Sequence, residues 1–331
     1  MGIEKRKEEH LDIALKENVC FKSVTTGLEK VQLQYNCLPD ISLEEIDCST
    51  EFLGKKLSAP LIVSAITGGT ERAKKINKDI AKACQKLGLG MGLGSQRAMI
   101  EKPELKETYY VRDVAPDIFL AGNIGATQLM EFSIDRIEKA LLDVGADALA
   151  IHLNAAQEAV QPDGTPDFRM AFEKIAEISK KLKKPVYVKE VGHGISWMVA
   201  RKLAKTNIKA IDVQGAGGTS WIGLESLRGN RELGETFWDF GIPTAISIYE
   251  CRQEFKGQII ASGGIRNGLD IIKGIILGAD LGGIGLPVLK AQAEGGEKGV
   301  EEYLRKRINE IRIGMFLLNA KKIPDLKKKK N

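Results

Sequence analysis

Aromatic residues make up only 6% of this 331-residue chain, while glycine reaches 35 residues. That pairing suits a barrel with tight βα turns better than a β-sandwich. Cysteine is scarce and scattered, at Cys20, Cys37, Cys48, Cys84 and Cys251. No pair has C-x-x-C spacing, so zinc sites and thioredoxin-like chemistry lack support. An odd, dispersed set fits reduced thiols in a cytoplasmic protein. No uncharged apolar stretch approaches the roughly 20 residues of a membrane span. The first eleven residues are charged throughout, unlike a signal peptide. No Ser/Gly-rich linker marks a domain boundary. The net charge of +5 is modest, and much of it sits in the run Lys327 to Lys330. Such a run can meet nucleic acid or anionic lipid, but at a chain end it reads as a solvated tail. Neither a nucleic-acid nor a membrane partner is expected.

What is present is a large apolar fraction, 43%, enough for one sizeable α/β core. From Pro60 onward, short apolar runs alternate with amphipathic stretches. Strands are predicted over 59–66, 89–95, 118–124, 148–154, 186–191, 210–214, 259–262 and 281–286. The helices between them are predicted over 71–87, 105–114, 133–144, 168–182, 196–204, 244–254, 267–277 and 301–318, with a long irregular insert over 215–241. In 71–87, Ala73, Ile76, Ile80, Ala83, Cys84 and Leu87 share one face. Eight β/α units predict a closed (β/α)8 TIM barrel over 59–322; the alternative is a doubly wound open sheet. Residues 1–58 form an extension read as a helix and a short β-segment packed on the barrel, and 323–331 a basic tail.

Reactive groups of such barrels gather at the C-terminal ends of the strands. Here those ends carry Thr67-Gly68-Gly69, Ser95-Gln96-Arg97, Asn123, His152 to Glu158, Lys189-Glu190, Gly215 to Ser220, Ser262 to Arg266 and Gly283 to Leu286. Glycine turns after strands seven and eight expose backbone N–H groups and point to a phosphate cradle rather than to tight turns alone. Gly90 to Gly94 lacks the G-x-G-x-x-G spacing and lies within a strand, so it is no dinucleotide loop. Lys189 sits inside an apolar strand and must meet an anion or give up its proton. Charge support for a reduced flavin, a Schiff base and an ion pair all stay open, though Glu190 points to the opposite face. Gln157 and Glu158 are expected in a turn, where a lone carboxylate suits Mg²⁺ held with substrate oxygens or is simply solvated. His152 is as compatible with a structural role as with a catalytic one, and His10 and His193 carry less signal. Arg6-Lys7 reads as a charged helix face, or as a clamp if the substrate is a diphosphate.

Taken in order, these motifs resemble the type 2 isopentenyl-diphosphate isomerase family. The likeness runs from Arg6-Lys7 through His152-Leu153-Asn154, Val188-Lys189-Glu190 and Gly263 to Arg266, as far as Ala291. The resemblance implies FMN across the barrel top, touched by Ala65, Ile66, Thr67, Ser95, Asn123, Lys189 and Thr219. Its phosphate would meet Gly264, Ile265, Arg266, Gly285 and Leu286. The substrate diphosphate would be held by Arg6, Lys7, Ser95, Gln96 and Arg97. Gln157 would contact substrate and Glu158 would hold Mg²⁺. The reaction implied is isomerisation of isopentenyl diphosphate to dimethylallyl diphosphate by a homo-oligomer, a tetramer or larger. Reduced FMN would act as acid and base, NADPH or NADH would prime it, and His152, Gln157 and Lys189 would assist catalysis. Ile66 and Ala155 depart from the family's usual Met and Pro. A 2-hydroxy-acid oxidase on the same barrel needs a His-Gly-x-Arg run that is absent. An IMP-dehydrogenase-like barrel needs a cysteine in 215–224, which has none.

Overall fold

In the computed structural model, which describes residues 2–229 and 231–329, eight parallel strands close into a barrel. The chain opens with helix α1 (Ile3–Lys16) and an antiparallel hairpin, β1 (Thr50–Phe52) and β2 (Lys55–Leu57). The barrel then follows as β3 (Leu61–Val63), α2 (Glu71–Leu87), β4 (Gly90–Gly92), α3 (Arg97–Glu101), β5 (Phe119–Gly125), α4 (Ile134–Asp143), β6 (Ala148–His152), α5 (Ala155–Val160) and α6 (Ala171–Lys181). It continues through β7 (Val186–Lys189), α7 (Trp197–Leu203), β8 (Ala210–Asp212), α8 (Trp221–Arg228), α9 (Arg231–Phe237), α10 (Thr244–Glu254), β9 (Gln258–Ala261), α11 (Gly268–Leu277), β10 (Leu281–Ile284), α12 (Leu286–Leu317) and α13 (Ile323–Lys327). Pairing of β10 with β3 closes the ring and excludes the open sheet.

The strands are buried on both faces, as parallel strands covered by helices must be. In β7, Val186 and Val188 face the helices while Tyr187 joins the barrel interior. Period-two alternation therefore sets Lys189 on the inward side, one layer above Tyr187. The helices start where short polar side chains cap free N–H groups: Thr70 accepts from Ala73, and Ser133, Ser196, Ser220 and Asn267 do the same for α4, α7, α8 and α11. Gly88, at φ +63°, ends α2 in the left-handed conformation.

The extension is split between the two mouths of the barrel. The hairpin turns through Leu53 and Gly54, both at positive φ, and drives Phe52 into the N-terminal mouth. There Phe52 meets Phe119 at 4.9 Å and Tyr187 at 6.1 Å, edge to face. Helix α1 lies instead at the other end, against α8 and α12.

Several expected elements differ. Pro103 stops the second helix, leaving α3 and a 3-10 stretch Pro103–Thr108 in place of a helix over 105–114. The insert 215–241 holds α8 and α9; its glycines let neighbours approach, since a Cβ on Gly223 would sit 2.4 Å from Trp238 and one on Gly234 2.1 Å from Ser226. The helix expected over 301–318 begins as α12 at Leu286, far earlier, and bends at Gly296 (φ +57°). The tail is anchored by buried Ile323 and Leu326, and Lys327 pairs with Asp280. Lys330, the end of the basic run, lies outside the described residues.

Candidate active site

One cavity opens at the C-terminal ends of the barrel strands. It is lined by every site residue named from the sequence except Gln96. The Gln96 side chain turns into the core, where its amide donates to Ala140 O at 3.1 Å and accepts from Asn123 N at 3.0 Å. In this position it buttresses the second and third strands rather than lining the cavity. Asn123 is thereby fixed; it donates to Leu93 O at 3.0 Å and its Oδ1 lies 2.9 Å from His152 Nδ1. Burial, with the charges of Lys189 and Lys7, holds the His152 pKa down to about 3, so its ring is neutral at physiological pH.

Lys189 Nζ donates to the Glu190 carbonyl at 2.6 Å. The Glu190 carboxylate points elsewhere and accepts from the N–H groups of Val191, Gly192 and His193 at 2.6, 2.7 and 2.6 Å. Lys189 instead faces Asp212 across the β7–β8 register. Burial pushes the Lys189 pKa down, opposed by Asp212 and Glu190, and burial pushes that of Asp212 up. Asp212 accepts from Ser262 Oγ and, at 3.1 Å, from Gln214 Nε2. An acid in the sixth strand gave no sequence signal beyond its apolar surroundings, and it was missed.

Gln157 and Glu158 lie in α5 rather than in a turn. Both are buried. Glu158 Oε1 accepts from Asn154 Nδ2 at 2.9 Å and Oε2 from Thr165 N at 2.8 Å. Asn154 Oδ1 is buried without a partner among the described residues. A carboxylate beside an unpaired amide oxygen fits a hard cation that takes its other ligands from water and phosphate. Among the described residues no cluster of three or more His, Cys, Asp or Glu forms a protein-only metal site.

The insert helix α8 brings a fully buried acid, Glu225, that sequence reasoning also missed. It accepts from Gln157 Nε2 at 2.9 Å and from Arg228 at 2.6 Å, and lies 2.9 Å from His10 Nε2. Burial opposes its charge, but His10, Gln157 and Arg228 hold its pKa below the usual carboxylate value. Arg228 also reaches Glu9 and Asp163, each at 3.1 Å, and Arg6 lies 3.5 Å from Asp163. This network seats α1 over the cavity, so that Arg6, Lys7 and His10 all line it. The segment behind α1 is strapped down by Phe21 N to Gly218 O (3.0 Å) and Ser220 N to Val19 O (2.8 Å). His193 is structural: its Nδ1 lies 2.6 Å from Phe240 O.

After the seventh and eighth strands, the chain enters α11 and α12 through Gly263–Arg266 and Gly285. Among the described residues, the N–H groups of Gly264, Ile265 and Gly285 meet no protein acceptor. Gly264, at φ +70°, has no room for a side chain: a Cβ would lie 2.4 Å from Thr26 Cγ2. Free amides at two helix starts, beside Arg266, fit a phosphate group, and buried Lys189 fits a further anionic or electron-rich centre. These residues therefore suit a flavin mononucleotide.

Comparison with known proteins agrees with this chemistry. Residues 2–158 and 154–330 match the sequence model of the family described as FMN-dependent dehydrogenase. The isopentenyl-diphosphate delta-isomerase of Thermococcus kodakarensis is 46% identical over 98% of this chain and 89% of its own. That of a Synechococcus species is 47% identical over 96% and 93%. Among solved structures, a mutant flavocytochrome b2 with pyruvate bound superposes with a TM-score of 0.72, at 20% identity over 98% of this chain and 85% of that one. A mandelate oxidase mutant with an FMN adduct gives 0.67, at 18% identity over 99% and 91%. At that identity the last two speak to the barrel fold alone.

Proposed function

This chain belongs to the FMN-dependent dehydrogenase family and, within it, to the isopentenyl-diphosphate delta-isomerases, and from that premise we propose that its cavity isomerises isopentenyl diphosphate to dimethylallyl diphosphate using reduced FMN and Mg²⁺. The observation that carries the reading is two anion sites in one cavity: the free amides of Gly264, Ile265 and Gly285, and the cations Arg6, Lys7 and Arg97. The first suits the flavin phosphate and the second a diphosphate.

The reaction adds a proton to the terminal alkene carbon and removes one from the carbon nearer the diphosphate. Its tertiary cation needs a dry pocket and electron density nearby. FMN, when bound and reduced by NADPH or NADH, supplies the acid and base at N5 and an electron-rich face. Lys189, backed by Asp212, would place positive charge in the floor of the cavity and favour the anionic form of a reduced flavin. His152, kept neutral and aligned by Asn123, orients substrate without adding charge beside the cation. Gln157, held by Glu225, presents its amide to substrate. Glu158 and Asn154 would supply oxygens to Mg²⁺, whose charge would neutralise the diphosphate and discourage its loss. Arg6, Lys7 and Arg97 grip the phosphate oxygens, and α1 keeps water out.

The test is an anaerobic assay of the protein with FMN, Mg²⁺, NADPH and isopentenyl diphosphate, read against the same mixture kept oxidised. Conversion only with reduced flavin is expected. No conversion despite tightly bound, reducible FMN would overturn the reading and direct attention to hydroxy-acid oxidation.

A further inference from the structure

We propose that Tyr109 is a positioning residue for the substrate diphosphate, acting through Lys7; the inference rests on the reading that Lys7 contacts that group. Three atoms form a closed hydrogen-bonded triangle. Lys7 Nζ donates to Tyr109 Oη at 2.6 Å and to the Ser95 carbonyl at 3.0 Å, while Tyr109 Oη donates to the same carbonyl at 2.7 Å. An ammonium has three N–H donors. Two are taken by this triangle, and one remains for a ligand in the cavity that Lys7 lines.

The triangle is built on rigid parts. Tyr109 is fully buried and follows the 3-10 stretch Pro103–Thr108. That stretch is tied to the turn after β3 by Thr108 Oγ1, which accepts from Gly69 N at 2.9 Å, and by Asn77, which donates to Thr108 O at 3.1 Å and to Thr67 O at 3.3 Å. The tyrosine ring lies where a side chain on Gly68 would be, 2.0 Å from its hypothetical Cβ. A Cβ on Gly69 would likewise press on Lys7 Nζ and Tyr109 Oη, at 3.1 and 3.2 Å. Two side-chain-free positions in Thr67-Gly68-Gly69 thus make space for Tyr109 and Lys7 rather than for a ligand.

The physical need is clear from Lys7 itself. It has four rotatable side-chain bonds and is drawn out of water, and burial with the neighbouring Arg6 charge lowers its pKa to about 7. A hydroxyl oxygen and a carbonyl are acceptors that suit the ammonium form and aim it. Burial raises the Tyr109 pKa, so the phenol keeps its proton and can donate to Ser95 while accepting from Lys7. The ring adds its face, 5.1 Å from Nζ.

Binding of inorganic pyrophosphate with Mg²⁺ to the FMN-loaded protein, followed by calorimetry, separates the possibilities. The variants are Lys7→Met, Tyr109→Phe and the pair together, with flavin content and melting temperature as checks on folding. Tyr109→Phe keeps the ring and removes one acceptor, so pyrophosphate affinity is expected to fall about tenfold, and KM for substrate to rise with kcat changed less than about twofold. The double variant is expected to bind no more weakly than Lys7→Met, because Tyr109 acts only through Lys7. The charged groups around Lys7 are Arg6 and Glu4 on its own helix; the neutral His152 ring from β6 and Tyr109 from the 3-10 side are the other titratable groups near it. Affinity in the parent should drop as pH rises past about 7, where Lys7 loses its proton, and that drop should begin at lower pH in Tyr109→Phe. Lys7→Met weakened with Tyr109→Phe unchanged would overturn this proposal and leave the diphosphate reading intact. A double variant weaker than Lys7→Met would also overturn it. Unchanged binding in Lys7→Met would remove the reading on which it stands.

Discussion

The Glu225 carboxylate and the Gln157 amide, 68 positions apart, meet at 2.9 Å inside the cavity wall. Glu225 is also the main counter-charge of Arg228, whose side chain is only 6% exposed. Glu225→Ala leaves that guanidinium with Glu9 and Asp163 alone and should cost about 3 kcal/mol of stability in urea unfolding. Glu225→Gln keeps the shape and should cost about half as much. A loss below about 1 kcal/mol for the alanine variant would mean that the network is no anchor for α1.

His152 links stability to pH. Its folded pKa of about 3 lies below the ordinary 6.5, so protons favour the unfolded chain. The contribution is fully present above pH 6.5 and is lost as pH falls toward 3. Between pH 7 and 5 the parent should lose about 2 kcal/mol more than His152→Gln, which cannot take up the proton. Equal losses in both would show that the ring is protonated in the folded state.

Glu158→Gln keeps the length of the side chain but removes its charge. Half-maximal activation should need at least about tenfold more Mg²⁺, with FMN content unchanged by its absorption spectrum. An unchanged Mg²⁺ requirement would remove Glu158 from the metal site.

The two glycine turns of the phosphate cradle should respond differently to alanine. Gly264→Ala meets a positive φ and contacts at 2.4 and 2.7 Å, and should destabilise by about 1–3 kcal/mol. Gly285 sits at φ −112°, and the nearest heavy atom is 3.7 Å from where a Cβ would stand, so Gly285→Ala should change stability by less than about 0.5 kcal/mol. Thermal melts of the two flavin-free variants decide this. A Gly264→Ala loss as small as that predicted for Gly285→Ala would mean that crowding at Gly264 is relieved by movement of Thr26.

Much of the barrel is legible along the chain. Helices α2 and α10 fall at their predicted bounds, 71–87 and 244–254; for α2 the apolar face and the Thr70 cap lie within one element, while α10 starts directly after Pro243 without a side-chain cap. Where local signals mislead, a long-range contact is the cause. The glycines of 215–241 look like helix breakers, but Gly223 and Gly234 are small because Trp238 and Ser226 press on them. Glu158 reads as a loop residue because helix α5 is too short to show a period. Gln96 stands beside two site residues in sequence, yet Asn123 and Ala140 recruit its amide into the core.

By itself the sequence determined the strand and helix order, the inward lysine at 189 and the glycine turns after the last two strands. These follow from period-two and period-3.6 patterning and from backbone rules that act within a few residues. Only the tertiary structure decided that Gln157 and His10 converge on Glu225, that Asp212 stands opposite Lys189, and that Tyr109 holds Lys7. Each of these depends on how α1 and α8 dock and on the register of neighbouring strands, which are fixed by packing between distant segments rather than by any local pattern.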